Sequence, residues 1–139
     1  MEDFTTFICY SLKSTMKKVE KHITQRFDEY GINLAQSFII FSLLERDGST
    51  LTEIGNRAHI ENSSLTTMVD KLEKAGLVER RLDSTDRRVI RVFLTDKGSD
   101  LGNQVLSEGR EFNDYLRQNL QTLEPSFLAG LQKIAQSID

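Results

Sequence analysis

The chain has 139 residues, 38% of them hydrophobic and 28% charged, with one Pro, no Trp and one Cys. This is the balance of a soluble protein of one compact domain or two small intimate ones, neither disordered nor membrane-spanning. The net charge of −3 speaks against a nucleic-acid partner, but half of the ten Arg residues fall between Arg80 and Arg91, so the chain is an acidic body with one basic edge.

From Asp3 to Tyr30 the apolar residues Phe4, Ile8, Leu12, Met16, Val19, Ile23 and Phe27 recur in steps of three and four. That period predicts one long amphipathic helix, ended by Gly31. A second helix is expected over about Leu34 to Arg46, stopped by Asp47-Gly48. A third starts at Thr50-Leu51-Thr52-Glu53, where Thr followed three residues later by Glu reads as a capping box, and ends near His59. A fourth runs from about Ser63 to Ala75 with Leu65, Met68, Val69 and Leu72 inward and Gly76 as terminator. Leu77 to Leu82 and Arg88 to Leu94 read as strands joined by the turn-rich Asp83-Ser84-Thr85-Asp86-Arg87, which predicts a β-hairpin. Helix resumes after Thr95, with Leu101, Val105, Phe112, Leu116 and Leu120 at helical spacing, and Pro125 is placed to open a last helix carrying Phe127, Leu128, Leu131, Ile134 and Ile138.

The expected fold is mainly α with a small β wing: a winged helix-turn-helix domain over residues 34–95, flanked by N- and C-terminal dimerisation helices in 1–33 and 96–139. The outer helices carry more apolar face than so small a winged domain can cover. A second copy of the chain is the expected cover, giving a symmetric homodimer.

Two short helices joined by a tight turn and followed by a charged hairpin form a constellation that reads double-stranded DNA. The N-terminal turn of the second helix supplies Asn62, Ser63 and Ser64, then Thr66, Thr67 and Lys71, small polar and basic groups suited to phosphates or base edges. Asn62 and Ser63 are also ordinary helix caps, and the two roles are compatible. Around the hairpin stand Arg80, Arg81, Arg87, Arg88 and Arg91. A hairpin tip is thin enough for the minor groove, where Arg is held by enhanced negative potential. A charged hairpin standing alone reads as a solvated edge strand; directly after a helix-turn-helix it reads as a wing.

The stretch from Leu65 through Lys71-Leu72-Glu73-Lys74-Ala75-Gly76-Leu77-Val78-Glu79-Arg80, with Asp86-Arg87-Arg88, Leu94-Thr95 and Lys97-Gly98, resembles the recognition helix and wing signature of the multiple-antibiotic-resistance regulator (MarR) family. The resemblance extends over essentially the whole chain. It implies a dimeric regulator, a repressor by preference, whose recognition helices read successive major grooves of a palindrome, with Arg88 in the minor groove oriented by Asp86. Glu61 stands where the family often has Asp, which leaves the start of the recognition helix open by one residue. Small aromatic or anionic effectors bound between the dimerisation helices and the DNA-binding lobe are also implied. Phe7, Tyr10, Phe38, Phe41 and Phe112 are positioned for such a cleft, although aromatics at helical spacing are more often plain core.

Cys9 lies where the organic-hydroperoxide-resistance regulators of the family carry a reactive thiol, but Ile23 and Leu34 replace the Tyr partners those sensors use, so a buried structural Cys is the expectation. A redox regulator acting through Cys9 and a winged-helix assembly module are the competing readings. His22, on a solvated helix face, and His59, in a half-buried turn, are too few and too distant for a metal site. No nucleophile motif, phosphate-binding glycine loop or carboxylate pair calls for an enzyme or a cofactor. No apolar run reaches bilayer length, and Met1-Glu2-Asp3-Phe4 lacks the basic-then-apolar pattern of a signal peptide. The single Cys cannot form an internal disulfide, so the expected compartment is the cytoplasm.

Overall fold

The computed structural model describes residues 2–138. The helices are α1 (Ile8–Phe27), α2 (Leu34–Glu45), α3 (Leu51–Ala58), α4 (Asn62–Lys74), α5 (Asp96–Leu120) and α6 (Glu124–Gln136). The strands are β1 (Ser49–Thr50), β2 (Val78–Leu82) and β3 (Ile90–Leu94), and they form one antiparallel sheet in the order β1-β3-β2. The chain divides into two compact units, Met1–Glu108 and Gly109–Asp139.

In the first unit the predicted opening helix is interrupted. Asp3 spends its carboxylate on Thr5 N at 3.0 Å and closes a 3-10 turn over Phe4–Thr6, Phe7 is extended, and α1 begins only at Ile8. A local side-chain bond has outcompeted continuation of the helix. At the other end a second 3-10 turn, Asp28–Tyr30, leads into Gly31 at φ 72, the left-handed stop the sequence called for. Only Ile23 and Phe27 of the apolar stripe are buried, while Ile8, Leu12 and Met16 are exposed.

The capping box lies one helix earlier than expected. Asn33 Oδ1 accepts from Gln36 N at 2.9 Å and Gln36 Oε1 accepts from Asn33 N at 3.0 Å, so both groups at the start of α2 are satisfied reciprocally. At α3 only half of the device forms: Thr50 Oγ1 accepts from Glu53 N at 3.2 Å. Ile39, Ile40, Leu43, Ile54, Leu65, Val69, Leu72, Val78, Val92 and Val105 make the core of this unit, each at 2% exposure or less. Met68, expected inward, is half-buried.

The chain leaves α4 through a Schellman turn: Gly76 (φ 75) donates to Glu73 O at 2.9 Å and Leu77 donates to Leu72 O at 3.0 Å, with both leucines buried. The hairpin is shorter than its sequence pattern and gains a third strand the pattern did not show. Ser49 and Thr50 pair with Val92 and Arg91, and two residues carry too little periodicity to be read as a strand. Thr95 then starts α5, accepting from Gly98 N at 3.0 Å while donating to Gly76 O at 2.6 Å. A Cβ on Gly98 would sit 1.9 Å from Leu77 O, so only glycine lets the helix start press against the turn below it.

The second unit holds the rest of α5, a 3-10 turn over Gln121–Leu123 entered through Gln121 at φ 53, and α6 with Pro125 in its first turn. Arg117 Nε meets Glu124 Oε1 at 2.7 Å across the turn, and Phe112 stacks with Tyr115 at 6.4 Å. Leu123, Phe127, Leu128 and Ile138 are exposed, so the apolar face of α6 is uncovered in the single chain. Among the described residues no helix is long and apolar enough to cross a membrane, and no group of three or more His, Cys, Asp or Glu residues is placed to hold a metal ion.

Candidate nucleic-acid interface

α3 and α4 meet through a turn of three residues. His59 takes the left-handed conformation (φ 55), Ile60 donates to Gly55 O at 3.0 Å, and a Cβ on Gly55 would stand 3.0 Å from Ile60 O. The absence of a side chain at Gly55 therefore allows the close approach of the two helices. His59 itself is exposed, contrary to the half-buried position expected of it, because its backbone rather than its ring makes the turn.

α4 starts at Asn62, with Glu61 as its N-cap and no side-chain cap bond. Neither Asn62 nor Ser63 caps the helix, so capping does not account for these residues. Leu65, Val69 and Leu72 anchor one face in the core, and helical spacing turns Ser63, Ser64, Thr67 and Lys71 to the opposite face. All of these, with Asn62 and Thr66, are exposed. Thr66 and Thr67 donate their hydroxyls to the carbonyls of Asn62 and Ser63 at 3.0 and 3.3 Å, which leaves their oxygens as acceptors unless the hydroxyls rotate. Among the described residues the Ser63 and Ser64 side chains make no hydrogen bond. Asn33 and Gln36, at the start of α2, share a cleft with Ser63, Ser64, Thr67, Met68 and Lys71 and so border the same surface. Sequence reading passed over Asn33, although the Asn-x-x-Gln spacing that places it was visible.

The five hairpin arginines part company in the structure. Arg80 turns back onto α4, paired through Nη2 with Asp70 and lying 3.8 Å from Glu73, while its backbone N donates to Glu73 Oε2 at 3.1 Å. Arg81 pairs with Glu79 and lies over the Phe93 ring at 4.3 Å from the centroid. Arg91 donates to Asp83 Oδ1 at 2.6 Å and to Gly48 O at 3.0 Å. Arg88, with 91% of its side chain exposed, is held by Asp86: Oδ1 accepts from Arg88 N at 3.0 Å and Nε at 3.1 Å, and Oδ2 accepts from Nη2 at 3.2 Å. Arg87 is exposed and makes no ion pair among the described residues. Hydrogen bonds from Arg88, first by side chain and then by backbone, hold the Asp86 carboxyl below its usual range.

The wing tip lies beside the start of α3, where Thr50, Leu51 and Thr52 share a cleft with Arg88, Val89 and Ile90. The first unit thus presents an α-helix with an exposed polar face and a hairpin ending in two exposed guanidinium groups. A helix of this diameter matches the width of the B-DNA major groove, and Arg is the side chain favoured in a narrow minor groove.

The remaining candidates are scattered. Phe7, Tyr10 and Phe38 are exposed at 46, 41 and 42%, Phe41 is half-buried, and Phe112 is buried in the second unit. Phe4 packs edge-to-face on Tyr10 at 5.6 Å, so part of the aromatic set is engaged with its own N-terminal turn. Cys9, expected in a core, is exposed at the first turn of α1. His22 is exposed and accepts from Arg26 Nε at 3.3 Å.

A family model described as MarR family matches residues 32–90. Over 97 residues the chain is 32% identical to the HTH-type transcriptional repressor MdtR of Bacillus subtilis, an alignment covering 70% of this chain and 63% of the relative. The chain thus spans somewhat less than two thirds of that relative's length. Its fold is that of MepR from S. aureus, solved as a DNA complex (TM-score 0.88, 21% identity, 95% of this chain and 98% of that one). It is equally that of BpsR from Bordetella bronchiseptica (TM-score 0.88, 16% identity, 100% of this chain and 99% of that one), whose structure addresses regulation of DNA binding by 6-hydroxynicotinic acid.

Proposed function

We propose that the chain is a winged helix-turn-helix transcriptional regulator of the MarR family, which binds a palindromic DNA operator as a homodimer, represses transcription in the cytoplasm and is released by a small aromatic or anionic effector. Members of this family are regulators, not enzymes, and the reading needs no cofactor.

The observation that carries the proposal is the pairing of two exposed surfaces in one unit: the polar face of α4 and the wing with Arg87 and Arg88. In this reading Ser63, Ser64, Thr67 and Lys71 meet the major groove, with Asn62 and Thr66 at its edge. Arg88 enters the minor groove and Arg87 meets phosphate. Arg80 and Arg81, engaged by Asp70, Glu73, Glu79 and Phe93, support the wing rather than touch DNA. The dimer reading is supported by exposed Phe4, Phe7, Ile8, Leu12 and Met16 near the start of the chain and by Phe127, Leu128 and Ile138 on or after α6, apolar groups that a second copy would cover. Effector release is supported by the BpsR likeness and by the exposed aromatics Phe7, Tyr10 and Phe38.

The test is selection of duplexes from random sequence by the purified chain. Enrichment of an inverted repeat with half-sites about one helical turn apart supports the proposal. Enrichment of no sequence, or of a single half-site, overturns it.

A further inference from the structure

The tip of the wing, Asp83 to Val89, contains neither Gly nor Pro, so its backbone has no built-in turn conformation. Two main-chain bonds close it: Asp83 N donates to Val89 O at 2.9 Å and Val89 N donates to Asp86 O at 3.0 Å. Besides the Asp86 contacts to Arg88, the side-chain bonds that shape the tip converge on the Asp83 carboxylate. Asp83 Oδ2 accepts from Thr85 N at 3.1 Å, from the Thr85 hydroxyl at 2.7 Å and from Asp86 N at 3.0 Å. Asp83 Oδ1 accepts from Arg91 Nε at 2.6 Å, and Arg91 Nη1 reaches Gly48 O, outside the hairpin, at 3.0 Å. The Asp83 side chain is 13% exposed, against 39% for Asp86 and 91% for Arg88.

We infer that Asp83 is a positioning residue for Arg88, fixing the tip from which Asp86 and Arg88 project, and that Arg91 anchors Asp83 to the body of the domain through Gly48. The inference rests on the DNA-binding reading above. Its physical content is a relay: Gly48 O orients Arg91, Arg91 and two backbone amides orient the Asp83 carboxylate, the carboxylate fixes Asp86 N, and Asp86 sets the Arg88 guanidinium. The donors around Asp83, Arg91 first, hold its carboxyl well below the usual range. A long cation docked in a groove loses rotamer freedom on binding, and a tip ordered beforehand has already given up part of that freedom.

The experiment uses the full chain. Asp83→Ala, and Asp83→Asn should the alanine variant fold poorly, are combined with Arg88→Ala in a double-mutant cycle against a duplex selected by the wild type. Amide hydrogen exchange at Thr85, Asp86 and Val89 is followed in the free protein. The expected result is roughly tenfold weaker binding from Asp83→Ala in the wild-type background, little further loss once Arg88 is Ala, and faster exchange at Asp86 with the core amides unchanged. Losses that simply multiply, or unaltered exchange at Asp86, overturn the inference. The exchange arm contains no DNA, so failure of the wild type to select any duplex sinks the DNA-binding reading while leaving the ordering of the tip by Asp83 separately decided.

Discussion

Arg80 on β2 is ion-paired with Asp70 on α4, which ties the wing to the helix it follows. Glu73 flanks the same guanidinium, and Arg80 Nε is buried with no hydrogen-bond partner of its own. A side chain so engaged supports structure, and its loss should be read as stability. Arg80→Ala is expected to lower unfolding stability by about 1 kcal/mol, as a part-exposed pair with packed methylenes does, and to leave the salt slope of DNA binding unchanged. A slope lower by about one unit at unchanged stability would instead make Arg80 a phosphate contact.

The sharpest test of the wing is a sign. Asp86→Ala removes a negative charge beside two arginines, and simple electrostatics then predicts tighter DNA binding. The hydrogen bonds from Arg88 to Asp86 predict the reverse, because the freed guanidinium must be ordered on docking. Weaker binding is expected from Asp86→Ala, and Arg88→Ala should also lose preference for A·T-rich flanks. Titration at two salt concentrations decides, and tighter binding by Asp86→Ala ends the orienting role.

Light scattering at micromolar concentration should report twice 15.9 kDa. Replacing exposed Leu12 and Met16 by Glu should shift the protein toward monomer and weaken operator binding with it. A stable, folded wild-type monomer would remove the two-fold reading of DNA.

Cys9 has no hydrogen-bond or ion-pair partner among the described residues, although it is exposed. Operator binding is expected to survive mild peroxide, and Cys9→Ser should behave as wild type. Release of the duplex by peroxide from the wild type, with Cys9→Ser resistant, would establish the redox mechanism instead.

Asp83 and Asp86 both ionise below the usual carboxylate range, through Arg91 and Arg88 respectively. For groups with lowered native values, the stabilisation is complete above the unfolded carboxylate value of about 3.9 and is lost only as pH falls through the lowered ones. Amide signals from 83–89 should therefore stay constant from neutrality to about pH 4 and change below it. Disorder of the tip between neutrality and about pH 5 would show that these carboxylates do not hold it.

The amino-acid sequence alone determined the order of helices and wing, the inward positions Leu65, Val69 and Leu72, and the glycine stops at Gly31 and Gly76, because periodicity and left-handed turns are local properties. The fold was legible for the same reason. Only the tertiary structure decided the rest. The strand at Ser49–Thr50 exists through its pairing with β3, and the break at Phe7 follows from where Asp3 spends its carboxylate. The five hairpin arginines, equal as letters, took separate roles according to which acidic group the folded chain brought within reach: Asp70 for Arg80, Glu79 for Arg81, Asp83 for Arg91, Asp86 for Arg88 and, among the described residues, none for Arg87. Three of those partners lie within the hairpin itself, yet which carboxylate meets which guanidinium depends on strand register and tip geometry. Neither is encoded in residue type, and the Arg80–Asp70 pair forms only because α4 and the wing pack together.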